Sequence, residues 1–292
     1  MKKAVVKAEL IEGKNDMLKL MISQFKPYLA SPEKNAEKHY QIIEEAVSAR
    51  CNVVIFPELS MTGYDLRDAV SDVAMDLNSE IIRRIKEYSN YISIVFGFVY
   101  EEQPGCFYNA AAYAEQGEIL SIHKKVFLPA YGLFDEKRYF SEGSSFTFFD
   151  TKFFRGSILI CEDALHADSL LHIAENNVDM VFIPAGSPLR GIGESGFYAE
   201  KVWDYTCGYI STNMTSTVVF VNRAGVEEGV TFWGGSKIYK AGGSIECSLP
   251  FLKEDKCIVK LDRDNIRQER IKNPLVLKDK LRISYRTNMT QR

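Results

Sequence analysis

Short, nearly unbroken apolar runs recur along this chain at residues 53–56, 92–100, 180–184 and 217–222, with patterns of helical period between them. A strand that is apolar on successive residues buries both faces, so it belongs in a sheet covered on both sides. That requirement, with strands and helices alternating and no Pro/Ser-rich linker, predicts one α/β domain. Helices are expected from Pro32 through Ala49 (Ser31 at the N-cap, Pro32 in the first turn), at 79–88, 168–176 and 200–212. Further strands are expected at 18–25, 108–115, 118–123, 146–149 and 156–161. The segments 232–239, 243–248 and 257–261 read as late strands in antiparallel hairpins, and 124–143 as a long loop. Residues 1–17 read as an extension, and 18–292 as a single domain with a C-terminal tail.

The 292 residues carry 36 basic and 39 acidic side chains, a net charge of −3, which excludes the clustered basic footprint of a nucleic-acid binder. No apolar run reaches the ~18 residues of a membrane span, and the N-terminus lacks the apolar core of a secretory signal. The six cysteines (51, 106, 161, 207, 247, 257) form no CxxC pair, so neither a zinc site nor a disulfide framework is expected. Scattered thiols of this kind fit a reduced, cytoplasmic enzyme. The four histidines are too dispersed for a metal site.

Three predicted strand ends carry polar groups. Glu58 follows an apolar run and a proline, at the mouth of a sheet, where ligands bind in α/β folds. A carboxyl group among apolar neighbours there is suited to general-base work. Lys124 and Lys125 close another strand and lead into an aromatic-rich loop, where a lysine can stabilise an oxyanion. Cys161 ends a third, just where Glu162 and Asp163 open a helical pattern, and helix N-terminal N–H groups lower a thiol pKa. Taken singly, each has a plain structural reading: a capping glutamate, a surface lysine pair, a packed thiol. Together and in this order they could supply a base, an electrostatic stabiliser and a nucleophile.

The three segments, FPELSMTGY (56–64), KVFLPAYGLFDEKRYF (125–140) and GSILICED (156–163), resemble those of the nitrilase superfamily of carbon–nitrogen hydrolases. The resemblance runs from about Leu18 to Gly243 and includes IPAGSP (183–188) and the late hairpin VNRAGVEEGVTFWGGSKIY (221–239). It implies a four-layer αββα sandwich and a Glu-Lys-Cys triad: Glu58 as general base, Lys125 as the triad lysine, Cys161 as nucleophile. It also makes Glu136 the second glutamate, which orients substrate and lysine. Within the superfamily, LPAYGLFDEKRYF is most similar to the glutaminase domain of glutamine-dependent NAD synthetases. The sequence contains no SGGxDS-like loop, and Ala164-Leu165 stand where that subgroup commonly has an aromatic residue.

The implied activity is hydrolysis of a small-molecule, non-peptide amide through a thioester, releasing ammonia or amine, with no metal or organic cofactor. Two alternatives are a glutaminase subunit feeding ammonia to a separate synthetase and a non-catalytic binding protein on the same scaffold. A nitrile substrate is chemically open to the same thiolate. The substrate-side residues are expected to be Tyr64, Tyr131, Phe134, Glu162, Ser187 and Arg190, with Arg190 facing an acidic group. The resemblance further implies a homodimer or higher homo-oligomer paired through helices.

Overall fold

A computed structural model describes residues 17–193 and 196–276, so the expected extension falls, except for Met17, outside the described residues, as does the tail beyond Val276. The elements, in chain order, are β1 (Met17–Gln24), α1 (Pro32–Ser48), β2 (Val53–Ile55), α2 (Val70–Val73), α3 (Glu80–Tyr88), β3 (Ser93–Gln103), β4 (Cys106–Glu115) and β5 (Glu118–Lys124). Next come α4 (Glu136–Tyr139), β6 (Phe148–Asp150), β7 (Arg155–Ile158), α5 (Ala167–Asn176), β8 (Met180–Ala185), β9 (Ile192–Gly193), β10 (Gly196–Phe197) and α6 (Tyr198–Asn213). The chain continues through β11 (Thr217–Asn222), β12 (Ala224–Glu227), β13 (Val230–Trp233), β14 (Lys237–Tyr239), β15 (Ile245–Ser248), β16 (Asp255–Asp262) and α7 (Asp264–Lys272).

Two six-stranded sheets form the body, in the orders β16-β1-β2-β3-β4-β5 and β15-β14-β11-β8-β7-β6. Each has a parallel centre, β1-β2-β3 in one and β7-β8-β11 in the other, flanked by antiparallel strands. The apolar runs alternate between two cores as a period of two requires. Leu20, Ile22, Val53, Ile55 and Val95 join the core that contains Ile158, Val181 and Val219 of the second sheet. Their neighbours Met21, Val54, Ile94 and Phe96 pack outward with Tyr40 and Ile43 of α1 and Ile82 and Ile85 of α3. On the second sheet Ile173 of α5 and Trp203, Cys207 and Ile210 of α6 cover the other face. The result is the expected four-layer αββα sandwich.

Several local expectations are corrected. Ser31 stands at the N-cap of α1, but its hydroxyl donates to Leu29 O (3.1 Å) instead of accepting from the first turn. The loop 124–143 contains α4, which buries Glu136. The run 232–239 is two strands: the chain breaks at Gly234 and Gly235, both at positive φ (72° and 62°), and leaves the β12–β13 hairpin for the second sheet. Among the late strands β14 and β15 pair antiparallel, but β16 crosses to pair with β1 at the edge of the first sheet. That crossover brings together Cys247 on β15 and Cys257 on β16, which the structure joins as a disulfide, against the expectation of unpaired thiols. A spacing of ten residues does not reveal it, because the juxtaposition comes from two sheets meeting. Among the described residues no helix is long and apolar enough to cross a membrane.

The parallel centres decide where functional groups gather. β5 is antiparallel to β4, which is antiparallel to β3, so β5 runs with the parallel strands. The residues following β2 and β5 therefore emerge at one end of the first sheet, where they meet those following β7 and β8 in the second. Gly97 on β3 makes room there: a Cβ would lie 2.5 Å from Leu59 N and 2.8 Å from Pro57 O. Gly97→Ala is expected to push the turn carrying Glu58 away from the sheet and cost about 1–3 kcal/mol of stability, the usual cost of overpacking. Denaturant unfolding measures this, and a midpoint equal to that of the unsubstituted protein would contradict it.

Candidate active site

Glu58 lies three residues beyond β2, and the residue after it, Leu59, is buried with φ +46°. Lys125 directly follows β5, and its N–H donates to Asn109 O on β4 (2.9 Å). Cys161 lies three residues beyond β7, and Gly186 directly follows β8. These segments place an ammonium group between two carboxylates. Lys125 Nζ donates to Glu58 Oε1 (2.7 Å) and to Glu136 Oε1 (2.8 Å). Tyr64 donates its hydroxyl to Glu136 Oε1, and Asn109 Nδ2 donates to Glu58 Oε1 (2.8 Å) and Glu136 Oε2 (3.4 Å). The second oxygen of Glu58 accepts the Gly186 N–H (2.6 Å). Glu58 and Lys125 are each 1% exposed, so this network is shielded from water.

Cys161 sits against it, buried and within electrostatic reach of Glu58, Lys125 and Glu136, beside the Gly186 N–H that Glu58 engages. Its φ is +44°, in the left-handed region that costs a non-glycine residue about 1–3 kcal/mol. The sequence expectation of a thiol acidified at a helix start is corrected here. Cys161 belongs to a single 3₁₀ turn, Cys161–Leu165, and α5 begins only at Ala167. One tight turn supplies little dipole. Burial pushes the thiol well above its ordinary value and the negative charge of Glu58 adds to this, outweighing Lys125 and the Gly186 N–H.

The charges around it follow the same accounting. Burial alone would lower Lys125, but the carboxylates of Glu136 and Glu58 outweigh it and hold the ammonium well above its ordinary value. Glu136 is raised to about 7, chiefly by burial and further by Glu58, against the pull of Lys125. Tyr64 is pushed well above its usual range by burial and by the same two carboxylates.

Of the expected substrate-side residues, Tyr64 and Phe134 border a cavity beside this network, and Tyr131, Glu162, Ser187 and Arg190 lie outside its lining. Tyr64 packs edge-on against Phe134 (6.0 Å between centroids) and Phe232 (5.9 Å). Phe134 meets Tyr131 (5.7 Å), whose hydroxyl donates to Glu162 Oε2 (2.8 Å). The Arg190 guanidinium lies over the rings of Phe134 (4.7 Å) and Tyr131 (5.2 Å). Its Nη2 is buried without a hydrogen-bond partner among the described residues. Ser187 is buried: its Oγ accepts from Trp203 Nε1 (2.9 Å) and Trp233 Nε1 (3.2 Å), and its N–H donates to Asn222 Oδ1 (2.8 Å). A cavity of about 350 Å³ adjoins the site across Tyr64, Phe134 and Glu136, a size suited to a small molecule.

Four residues of this arrangement were not singled out from the sequence. Asn109 and Gly186 bond directly to Glu58. Arg223 and Glu227 form a buried ion pair (2.6 Å), and Glu227 Oε1 accepts the N–H groups of Tyr64 (2.8 Å) and Asp65 (2.9 Å), fixing the Tyr64 turn. Asn109 stands in β4 between Phe107-Tyr108 and three alanines, and that polar interruption was the one available signal.

The fold and site define a nitrilase-type α/β sandwich with a buried lysine–carboxylate network beside a strained cysteine. The chain belongs to the carbon-nitrogen hydrolase family, whose profile matches residues 19–271. It is 30% identical over 256 residues to the glutamine-dependent NAD(+) synthetase of Acinetobacter baylyi, a match covering 87% of this chain and 46% of that protein. The chain thus spans about half the length of that relative. The structure of a glutamine-dependent NAD+ synthetase from Acinetobacter baumannii superposes with a TM-score of 0.75 at 29% identity, over 86% of this chain and 46% of that one. A carbon-nitrogen hydrolase from Helicobacter pylori gives a TM-score of 0.80 at 20% identity, over 94% and 99% of the two chains.

The raised thiol makes a prediction independent of any substrate. Iodoacetamide should label Cys161 slowly at pH 7, with a rate that climbs past pH 9, followed by peptide mass. A rate already at its plateau near neutrality would contradict a thiol held neutral at rest.

Proposed function

We propose that this protein hydrolyses a small-molecule amide through a thioester on Cys161. The observation that carries the reading is the buried Lys125 ammonium, bonded to Glu58 and Glu136 beside the thiol. Glu58 takes the thiol proton as Sγ attacks the carbonyl carbon, so a neutral resting thiol is no obstacle: the proton leaves during attack. The Lys125 ammonium and the Glu162 N–H stabilise the tetrahedral oxyanion, donors of a kind typically worth about 3 kcal/mol each. The intermediate collapses as Glu58 gives its proton to the departing ammonia or amine. A water molecule then loses a proton to Glu58, adds to the thioester, and releases the acid with the thiol restored. Glu136 and Tyr64 hold the ammonium in place.

A second reading names the amide as glutamine. Arg190 Nη2, buried and unpartnered among the described residues, fits the α-carboxylate, and Glu162, which shares Tyr131 with it, fits the α-ammonium. The likeness to glutamine-dependent NAD(+) synthetases supports it. In that case ammonia passes to a separate synthetase, and glutamine turnover should rise when that partner is added. We further take a homodimer or higher homo-oligomer as the working assembly, since α6 leaves Tyr198, Tyr205 and Tyr209 exposed on the outer layer.

Ammonia release across glutamine, butyramide, a carbamoyl compound and a nitrile tests both readings. Cys161→Ala should abolish turnover of whichever is hydrolysed while leaving the circular dichroism spectrum unchanged. Full activity in that variant sinks the assignment, and a panel with no turnover favours a non-catalytic scaffold. Arg190→Met should raise KM for glutamine and leave butyramide unaffected if glutamine is the substrate. The pH profile is a further check. Ionised Glu136 orients Lys125, so kcat/KM should fall as pH drops through about 7, where Glu136 takes up a proton. Glu136→Gln should remove that limb, and an unchanged limb in the variant would assign it to another group.

A further inference from the structure

Asp163 is fully buried, and its carboxyl group bonds to both segments that lead to the reacting side chains. Oδ1 accepts the N–H groups of Val126 (3.0 Å) and Phe127 (2.9 Å), the two residues after Lys125. Oδ2 accepts the N–H of Ile160 (3.1 Å), the residue before Cys161. Oδ2 also meets His123 Nε2 at 2.8 Å, and His123 lies two residues before Lys125 on β5. The Asp163 N–H returns to Ile160 O (3.0 Å), so residues 160 and 163 close from both sides the turn that bends through Cys161 at φ +44°.

These bonds cross the sandwich. β5 belongs to one sheet and β7 to the other, and each runs toward the candidate site at its C-terminal end. One side chain therefore grips the chain on both sides of Lys125 and the turn that carries Cys161 and Glu162. The strain at Cys161 persists only where the surroundings over-determine it, and Asp163 supplies that constraint from within the turn.

We propose that Asp163 is a positioning residue, with His123 as its support: it holds the Lys125 segment in register with the Cys161 turn. It thereby sets the spacing of the ammonium and the Glu162 N–H around the attacked carbonyl. This rests on Cys161 being the nucleophile. Asp163 touches no reacting atom, so its effect belongs to the transition state and not to substrate binding. An amide nitrogen at one of the two oxygen positions turns an acceptor into a donor, opposite either the two loop N–H groups or the Ile160 N–H.

The test uses the full-length protein, the amide it hydrolyses (glutamine or butyramide) and the matching aldehyde (glutamate γ-semialdehyde or butyraldehyde), which adds to Cys161 as a tetrahedral analogue. For Asp163→Asn, kcat is expected to fall roughly 10²-fold, the scale of an ångström-level misplacement, with KM little changed. Aldehyde affinity should fall in parallel with kcat/KM. A purely structural role lowers the melting temperature but leaves kcat and aldehyde affinity of the folded enzyme unchanged, and that result overturns the proposal. If Asp163→Asn does not fold, His123 decides. His123→Ala should lower kcat and His123→Gln, whose Nε2 can replace the ring donor, should restore it; an unchanged kcat in His123→Ala overturns the proposal equally. The two claims fail separately. Turnover surviving in Cys161→Ala removes the nucleophile reading, whereas an inactive Cys161→Ala beside a fully active Asp163→Asn removes this inference alone.

Discussion

An ammonium group with 1% exposure cannot stand alone inside a protein. Lys125 is retained in the interior because Glu58 and Glu136 each bring a carboxylate oxygen within 2.8 Å of it. Two carboxylates and one ammonium leave an excess of negative charge. Glu136 relieves it by binding protons up to about pH 7, and the neighbouring thiol responds by staying neutral. Removing one partner of such a pair leaves an uncompensated buried charge, typically a loss of about 3–5 kcal/mol. The site is thus costly as structure.

Everything else in the molecule serves to bring those groups to one rim. Glu58, Lys125 and Glu136 are carried by segments that follow or flank the first sheet, Cys161 and Gly186 by segments that follow strands of the second. The site therefore exists only where the two sheets face each other. The apolar strands that form the inter-sheet core are what fix its dimensions. Two of the left-handed non-glycine residues lie at the points of contact. Leu59 and Cys161 adopt left-handed conformations beside the Glu58–Lys125–Glu136 network, and Gly97 clears space behind the Glu58 turn.

The parts of this that the sequence made legible share a cause. Uninterrupted apolar strands such as 180–184 announce burial on both faces, so the α/β class and most strand positions could be read, and the polar residues just beyond them stood out by contrast. Glu58, Lys125 and Glu136 are brought together as the motifs implied. Long-range pairing was not legible. The crossing of β16 to β1, the Cys247–Cys257 link and the role of Asn109 each depend on which strands become neighbours. The sign of the Cys161 shift was misread for a related reason: five residues of 3₁₀ helix and α5 look alike in sequence, and the charge of Glu58 comes from a segment about a hundred residues away.

If Cys161 carries the acyl group during turnover, acid-quench mass spectrometry of the enzyme at steady state captures it. An intact-mass increase equal to the acyl group of the hydrolysed amide, localised to the Cys161 peptide and decaying as substrate is exhausted, is the predicted result. Ammonia release with no adduct at any quench time, or an adduct on a different residue, would contradict the account.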